Sequence, residues 1–154
     1  QAESLVREGL AIRLDTYGDE NSLTLVAMRD LARLLRLTGE HAEARALEDR
    51  AIAASRILQG PSHTQTLSTL HAIAIASASA GEYERAAQLG RAAWAGYHQQ
   101  FGSDDEDTQD VIMFLAELHD ERHRIEPEAG HDEVAAHWRT HVNAPDLSAE
   151  RKDE

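Results

Sequence analysis

The chain has no cysteine, a single lysine, three prolines and few aromatic residues, which make up 5% of its 154 positions. Without thiols it is neither a disulfide-stapled scaffold nor a cysteine-ligated zinc protein. Basic charge is scarce as well, with 15 Lys and Arg against 28 Asp and Glu, a formal charge of −13. That balance repels a phosphate backbone and argues against nucleic-acid binding. No run approaches the roughly 18 apolar residues of a membrane span. Gln1 stands where an initiator Met is expected, so the natural N-terminus is expected upstream and no targeting signal is read. The length suits one domain, or a short array of small units sharing one core. Fourteen of the 15 basic residues are Arg, compatible with a GC-rich bacterial coding sequence.

What the sequence does have is periodic glycine. Gly18, Gly39, Gly60, Gly81 and Gly102 recur every 21 residues, and their company alternates, so the unit is 42 residues. Tyr17-Gly18, Gln59-Gly60 and Phe101-Gly102 form one class, each followed six residues later by Thr24, Thr66 or Thr108. Thr38-Gly39-Glu40-His41 and Ala80-Gly81-Glu82-Tyr83 form the other, followed by Ala44 and Leu47 or by Ala86 and Leu89. Ala2, Leu5 and Gly9-Leu10 repeat that second pattern, so residues 1–17 are a half-repeat.

Between glycines the apolar residues keep helical spacing, as in Leu25, Met28, Leu31, Ala32 and Leu35. Alternation of the strand type is absent. The spacing predicts helices near 2–16, 22–37, 40–57, 64–79, 82–99 and 106–123, each closed by a left-handed glycine and capped by Thr or Ser with nearby acids. About 16 helical residues span roughly 24 Å, and such short turns permit only antiparallel neighbours. The expected fold is all-α, a stack of antiparallel helical hairpins with about seven helices.

Leu31-Ala32, Gly39, Ala44, Ala51-Ile52 and their copy Ile73-Ala74, Gly81, Ala86, Ala93-Trp94 resemble tetratricopeptide (TPR) repeats. The 42-residue period and the linker from Gly60 to Leu67 resemble the kinesin light chain type, whose linkers read G-x-x-H-P-D-T-L. The resemblance covers most of residues 1–122 and implies a right-handed α-superhelix. It also implies a noncatalytic module that binds a protein or peptide in a concave groove, within a larger regulatory protein and in the cytoplasm. Bacterial repeats of this type often accompany ATPase switch domains, although no phosphate-loop motif is present here. Light chains hold ligand backbone with an Asn in the first helix of each repeat; Asp30, Ala72 and Phe114 stand there instead.

By the same resemblance the first helix of each hairpin lines the groove. Arg29, Arg33 and Arg36 would select an acidic segment, while His71, Ile75, Met113 and Glu117 would line the rest, with apolar pockets around Ile75 and Met113. The alternative for the Arg row is a solvated face balanced by Asp30, Glu40 and Glu43.

The third unit breaks register. The next step puts His123 where glycine belongs, and Gly130 opens a segment matching Gly81 onward, so seven residues have been inserted near 123–130. The insertion either lengthens the first helix or loops out around Pro127. The resulting organisation is one array over residues 1–143: a half-repeat at 1–17, repeats at 18–59, 60–101 and 102–143, then a polar tail at 144–154.

Candidate chemistry is thin. His119 with His123 and His137 with His141 have i,i+4 spacing that suits a metal. His119-Asp120-Glu121-Arg122-His123, however, has Asp where H-E-x-x-H carries its base. Asp104, Asp105, Glu106 and Asp107 lack the spacing of an EF-hand, and no nucleophile motif appears. No catalytic residue, metal or cofactor is assigned, and a metal-dependent enzyme is the least favoured reading. Self-association, as a homodimer, is the main alternative to partner binding, since the half-repeat would expose Leu5, Leu10 and Leu14.

Overall fold

The computed structural model describes residues 2–142; the tail read at 144–154 lies outside them. The fold is all-α, of the helical-hairpin stack class, 84% helical with no strand among the described residues. Among those residues seven α-helices follow one another: α1 (Ala2–Tyr17), α2 (Ser22–Thr38), α3 (His41–Gln59), α4 (Thr64–Ser79), α5 (Tyr83–Phe101), α6 (Glu106–Ile125) and α7 (His131–Arg139). None of them is long and apolar enough to cross a membrane.

The chain divides into two compact units, Gln1–Thr69 and Leu70–Glu154, the boundary falling inside α4. In the first unit α2 packs against both α1 and α3. Its core joins Leu10 of α1, Leu25, Met28, Leu31 and Leu35 of α2, and Ala44, Ala51 and Ala54 of α3. Alanine on α3 lets the two backbones approach, and each fully buried Leu or Met adds about 1.5–3 kcal/mol. The half-repeat differs from expectation: Leu10 is buried and Leu14 partly so, while Leu5 and Ile12 stay exposed. In the second unit Leu70, Ile73, Ala86, Ala87, Ala93, Val111, Ile112, Leu115, Ala135 and Trp138 are buried, and α6 packs against α5 and α7.

The two glycine classes do different work. Gly39 is left-handed (φ 89°, ψ 6°), and the N–H groups of Glu40 and Gly39 donate to the Leu35 and Arg36 carbonyls, a Schellman closure. Gly60 (φ 94°, ψ 158°) and Gly102 (φ 85°, ψ −176°) are not left-handed helical caps as expected; they occupy a region open only to glycine and swing the chain out of α3 and α5. Thr66, fully buried, then ties the linker down. Its Oγ1 donates to the Gly60 carbonyl at 2.9 Å and shares a hydrogen bond with Ser55 Oγ at 3.0 Å.

Capping also departs from expectation. Asn21 accepts from the Leu23 N–H and Asp105 from the Thr108 N–H, whereas α3 and α5 start without a side-chain cap. The acids before α6 thus serve its N-terminus. The seven-residue insertion takes both courses: α6 continues to Ile125, and a 3₁₀ turn at Pro127–Ala129 leads to left-handed Gly130. The final helix ends at Arg139, short of residue 143.

Candidate interaction surfaces

In the first unit Arg29 is half-buried and Arg33 exposed, and neither has an ion-pair partner among the described residues. Arg36 does not stand in the open with them. Its Nε and Nη2 donate to Glu48 Oε1 and Oε2 at 2.6 and 2.8 Å, and the two side chains are only 8% and 3% exposed. Glu48 is buried in the α2–α3 seam, where an uncompensated carboxylate would be costly, so the planar guanidinium is drawn inward to meet it. Glu40 and Glu43, read as neutralising the Arg row, instead hold Arg7 of α1. The hydrogen bond from Arg7 keeps the Glu43 carboxyl below its ordinary pKa.

The internal repeat carries a signal for this pair that no single helix shows. Arg36 and Glu48 correspond to Ala78 and Gly90 one repeat on. A Cβ at Gly90 would meet Leu115 Cδ2 at 2.8 Å, so no larger residue fits there without movement. In the third repeat, allowing for the insertion, the positions are Asp120 and Arg139, which again form an ion pair, with the charges exchanged.

A depression of about 350 Å³ lies between α1 and α2, lined by Leu5, Val6, Gly9, Leu23, Val26 and Asp30, with Arg13 folded over Gly9. Of its lining, Leu5, Leu23 and Val26 are exposed, as is Ile12 elsewhere on α1.

In the second unit α4 and α6 bring together the other expected groove residues. His71 of α4 packs edge-on against Phe114 of α6, ring centroids 5.4 Å apart. Burial lowers the His71 pKa, against the raising influence of Asp110 and Asp107. Ile75 and Met113 are 46% and 50% exposed. Ile75 lines a pocket of about 380 Å³ with Tyr83, Phe114, Leu118, Glu117 and Glu121. Met113 lines a second, of about 590 Å³, with Glu117, Asp120 and Arg139. Glu117 belongs to both. Helical spacing did not single out Tyr83 or Phe114, although Phe114 stands at the Asn position of the light chain pattern.

The histidines fall into two groups. His119 is 4% exposed, its ring centroid 5.7 Å from that of His131, and neither of its nitrogens has a hydrogen-bond partner among the described residues. Burial, then the nearby Arg122, His131 and Arg91, lower its pKa to about 4 against the opposing Glu84. By register His119 replaces Leu35 and Ser77, which identifies it as a core position. His123 faces Asp132 at 3.7 Å. His137 and His141, centroids 4.8 Å apart, join His98, Trp94 and Trp138 in an aromatic cluster. Among the described residues no three His, Asp or Glu side chains are placed to hold a metal ion.

Tetratricopeptide repeat family models match residues 1–57 and 66–107. No curated protein matches the sequence. Among solved structures, the nearly identical TPR-like repeats assigned to a kinesin light chain in Podosopora anserina superpose with a TM-score of 0.75 at 21% identity, covering 99% of this chain and 68% of that one. A point variant of those repeats gives 0.72 at 21% identity, covering 91% and 65%. BtubC (BKLC) from P. vanneervenii gives 0.68 at 14% identity, covering 93% and 57%. The chain thus spans between 57% and 68% of the length of these structures.

Proposed function

Because the chain belongs to the tetratricopeptide repeat family, with repeats of the kinesin light chain type, we propose that it is a noncatalytic protein-binding module of a larger, cytoplasmic regulatory protein. Tetratricopeptide repeats are protein–protein interaction folds, and the finer reading is that the first helices of the hairpins receive a peptide. The observation that carries it is the pair Arg29 and Arg33 on α2, two guanidiniums without ion-pair partners among the described residues, on a chain of net charge −13. Unpaired arginines on such a chain are suited to carboxylates of a partner, whose approach they would steer. Arg36 is no part of that site, since it serves Glu48.

A fluorescent peptide of sequence Glu-Ala-Leu-Glu-Ala-Leu-Glu is expected to bind, and the double substitution Arg29→Glu, Arg33→Glu to weaken it at least tenfold, about 1.4 kcal/mol. Unchanged anisotropy titrations would remove these arginines from any binding role.

Self-association is a second reading, supported by Leu5 and Ile12, exposed on the half-repeat, and by Leu23 and Val26, exposed on α2. Contiguous apolar surface of this sort marks a contact site. Light scattering over a hundredfold dilution checks it. A mass of 17.0 kDa at every concentration excludes the dimer.

A further inference from the structure

We infer that the α4–α6 face of the second unit receives a basic segment anchored by an apolar side chain, the opposite charge preference from that of Arg29 and Arg33. The inference rests on the protein-binding reading and adds the chemistry of a partner at this face. The first observation is apolar. Ile75 on α4 and Met113 on α6 keep about half of their surface open, in two neighbouring depressions floored by Phe114 and Leu118 in one and by Ala116 in the other. An aliphatic side chain entering either one removes apolar surface from water on both partners.

The second observation is electrical. Asp110, Met113 and Glu117 follow one another at i, i+3 and i+7, so two carboxylates flank the exposed methionine along one face of α6. Asp120 and Glu121 continue the run but are engaged by Arg139 and Arg124. Asp110 and Glu117 have no cationic partner among the described residues, and Glu117 stands on the wall shared by both depressions. A carboxylate beside an apolar floor is a stronger attractor for a cation than one in open water, because the floor lowers the local dielectric once a ligand covers it. An acidic ligand would be repelled there, which gives the face selectivity as well as affinity.

Spacing defines the ligand further. Asp110 and Glu117 are seven residues apart on one helix, about 10 Å. Three residues of a polyproline II chain, one full turn at about 3.1 Å each, span about 9 Å and bring side chains i and i+3 to the same edge. A segment with Lys or Arg at every third position and Leu between them therefore matches both carboxylates and both depressions.

The test uses the full chain and three fluorescein-labelled peptides: Lys-Ala-Leu-Lys-Ala-Leu-Lys, the same sequence with Ser for Leu, and the Glu-Ala-Leu peptide above. The Lys-Leu peptide is expected to bind, and to bind at least tenfold more tightly than its Ser counterpart. Glu117→Lys is expected to weaken it tenfold or more, Glu117→Gln by less, and Ile75→Ser to a similar degree as Glu117→Lys. Glu133→Lys, an equal change of net charge at an exposed site on α7, should leave it unchanged. Because Glu117 and Ile75 are exposed, far-UV circular dichroism of these variants should match the parent. Equal losses from Glu117→Lys and Glu133→Lys would mean general attraction to an acidic chain and would overturn the proposal. So would binding of the Glu-Leu peptide alone, which leaves the protein-binding reading standing. Binding of neither peptide would count against both.

Discussion

Replacing Glu48 with alanine is expected to cost about 3–5 kcal/mol of stability, because it leaves the Arg36 guanidinium buried without its counter-charge. A loss in the same direction is expected for Arg36→Ala, which takes the guanidinium from the buried carboxylate. The double variant should lose much less than the sum of the two, since neither charge then remains to be desolvated, and Ala78 with Gly90 shows that the fold accommodates small residues at these positions. Urea unfolding of the four proteins completes the cycle. A loss near 1 kcal/mol for each single change, with simple additivity in the double, would place the pair among ordinary surface bridges despite its 8% and 3% exposure. Against a total stability of about 5–15 kcal/mol for a typical domain, the expected loss is large.

Acid should weaken the second unit through His119. Its folded pKa is depressed to about 4 from 6.5, so between those values the unfolded chain takes up a proton that the folded chain refuses. The contribution of neutral His119 is therefore complete above about pH 6.5 and is lost as pH falls toward 4. Over that interval it amounts to about 3 kcal/mol. His71, also depressed, acts in the same direction. The variant to compare is His119→Leu, since Leu35 occupies the corresponding site in the first repeat. Urea midpoints measured from pH 4.5 to 7 should fall more steeply toward acid in the parent than in the variant. Parallel curves would show that His119 takes up its proton without loss of packing.

Most of the architecture was legible because glycine at positive φ is a requirement of the backbone and cannot drift without breaking a helix end. Helix positions from Ala2 to Ile125 followed from those fixed points together with 3.6-residue apolar spacing. What escaped was set by side chains that meet across a turn. Arg36 looked like the third member of a solvent-facing row because Arg29, Arg33 and Arg36 share a helix stripe. Only Glu48, 12 residues away, decides that it turns inward. The clue was present in the exchanged charges at Asp120 and Arg139, but it requires comparing repeats two helices at a time. The expected acidic-segment row thus shrinks to Arg29 and Arg33. Ile75, Met113 and Glu117 line two depressions of the second unit, with His71 packed on Phe114 beside them, and the charge of that face was obscured because the carboxylates were weighed one by one.

The exchanged ion pair also bears on how the chain avoids assembling itself wrongly. Hairpins built on one repeated pattern are prone to trade partners during folding, and apolar seams alone discriminate poorly between one alanine-lined helix and the next. If α2 were to dock on α7 in place of α3, Arg36 would meet Arg139. If α6 were to dock on α3, Asp120 would meet Glu48. Each of these two mistaken pairings sets like charges together where the correct one unites opposites, so the polarity reversal works against exchange of helices between the first and third hairpins.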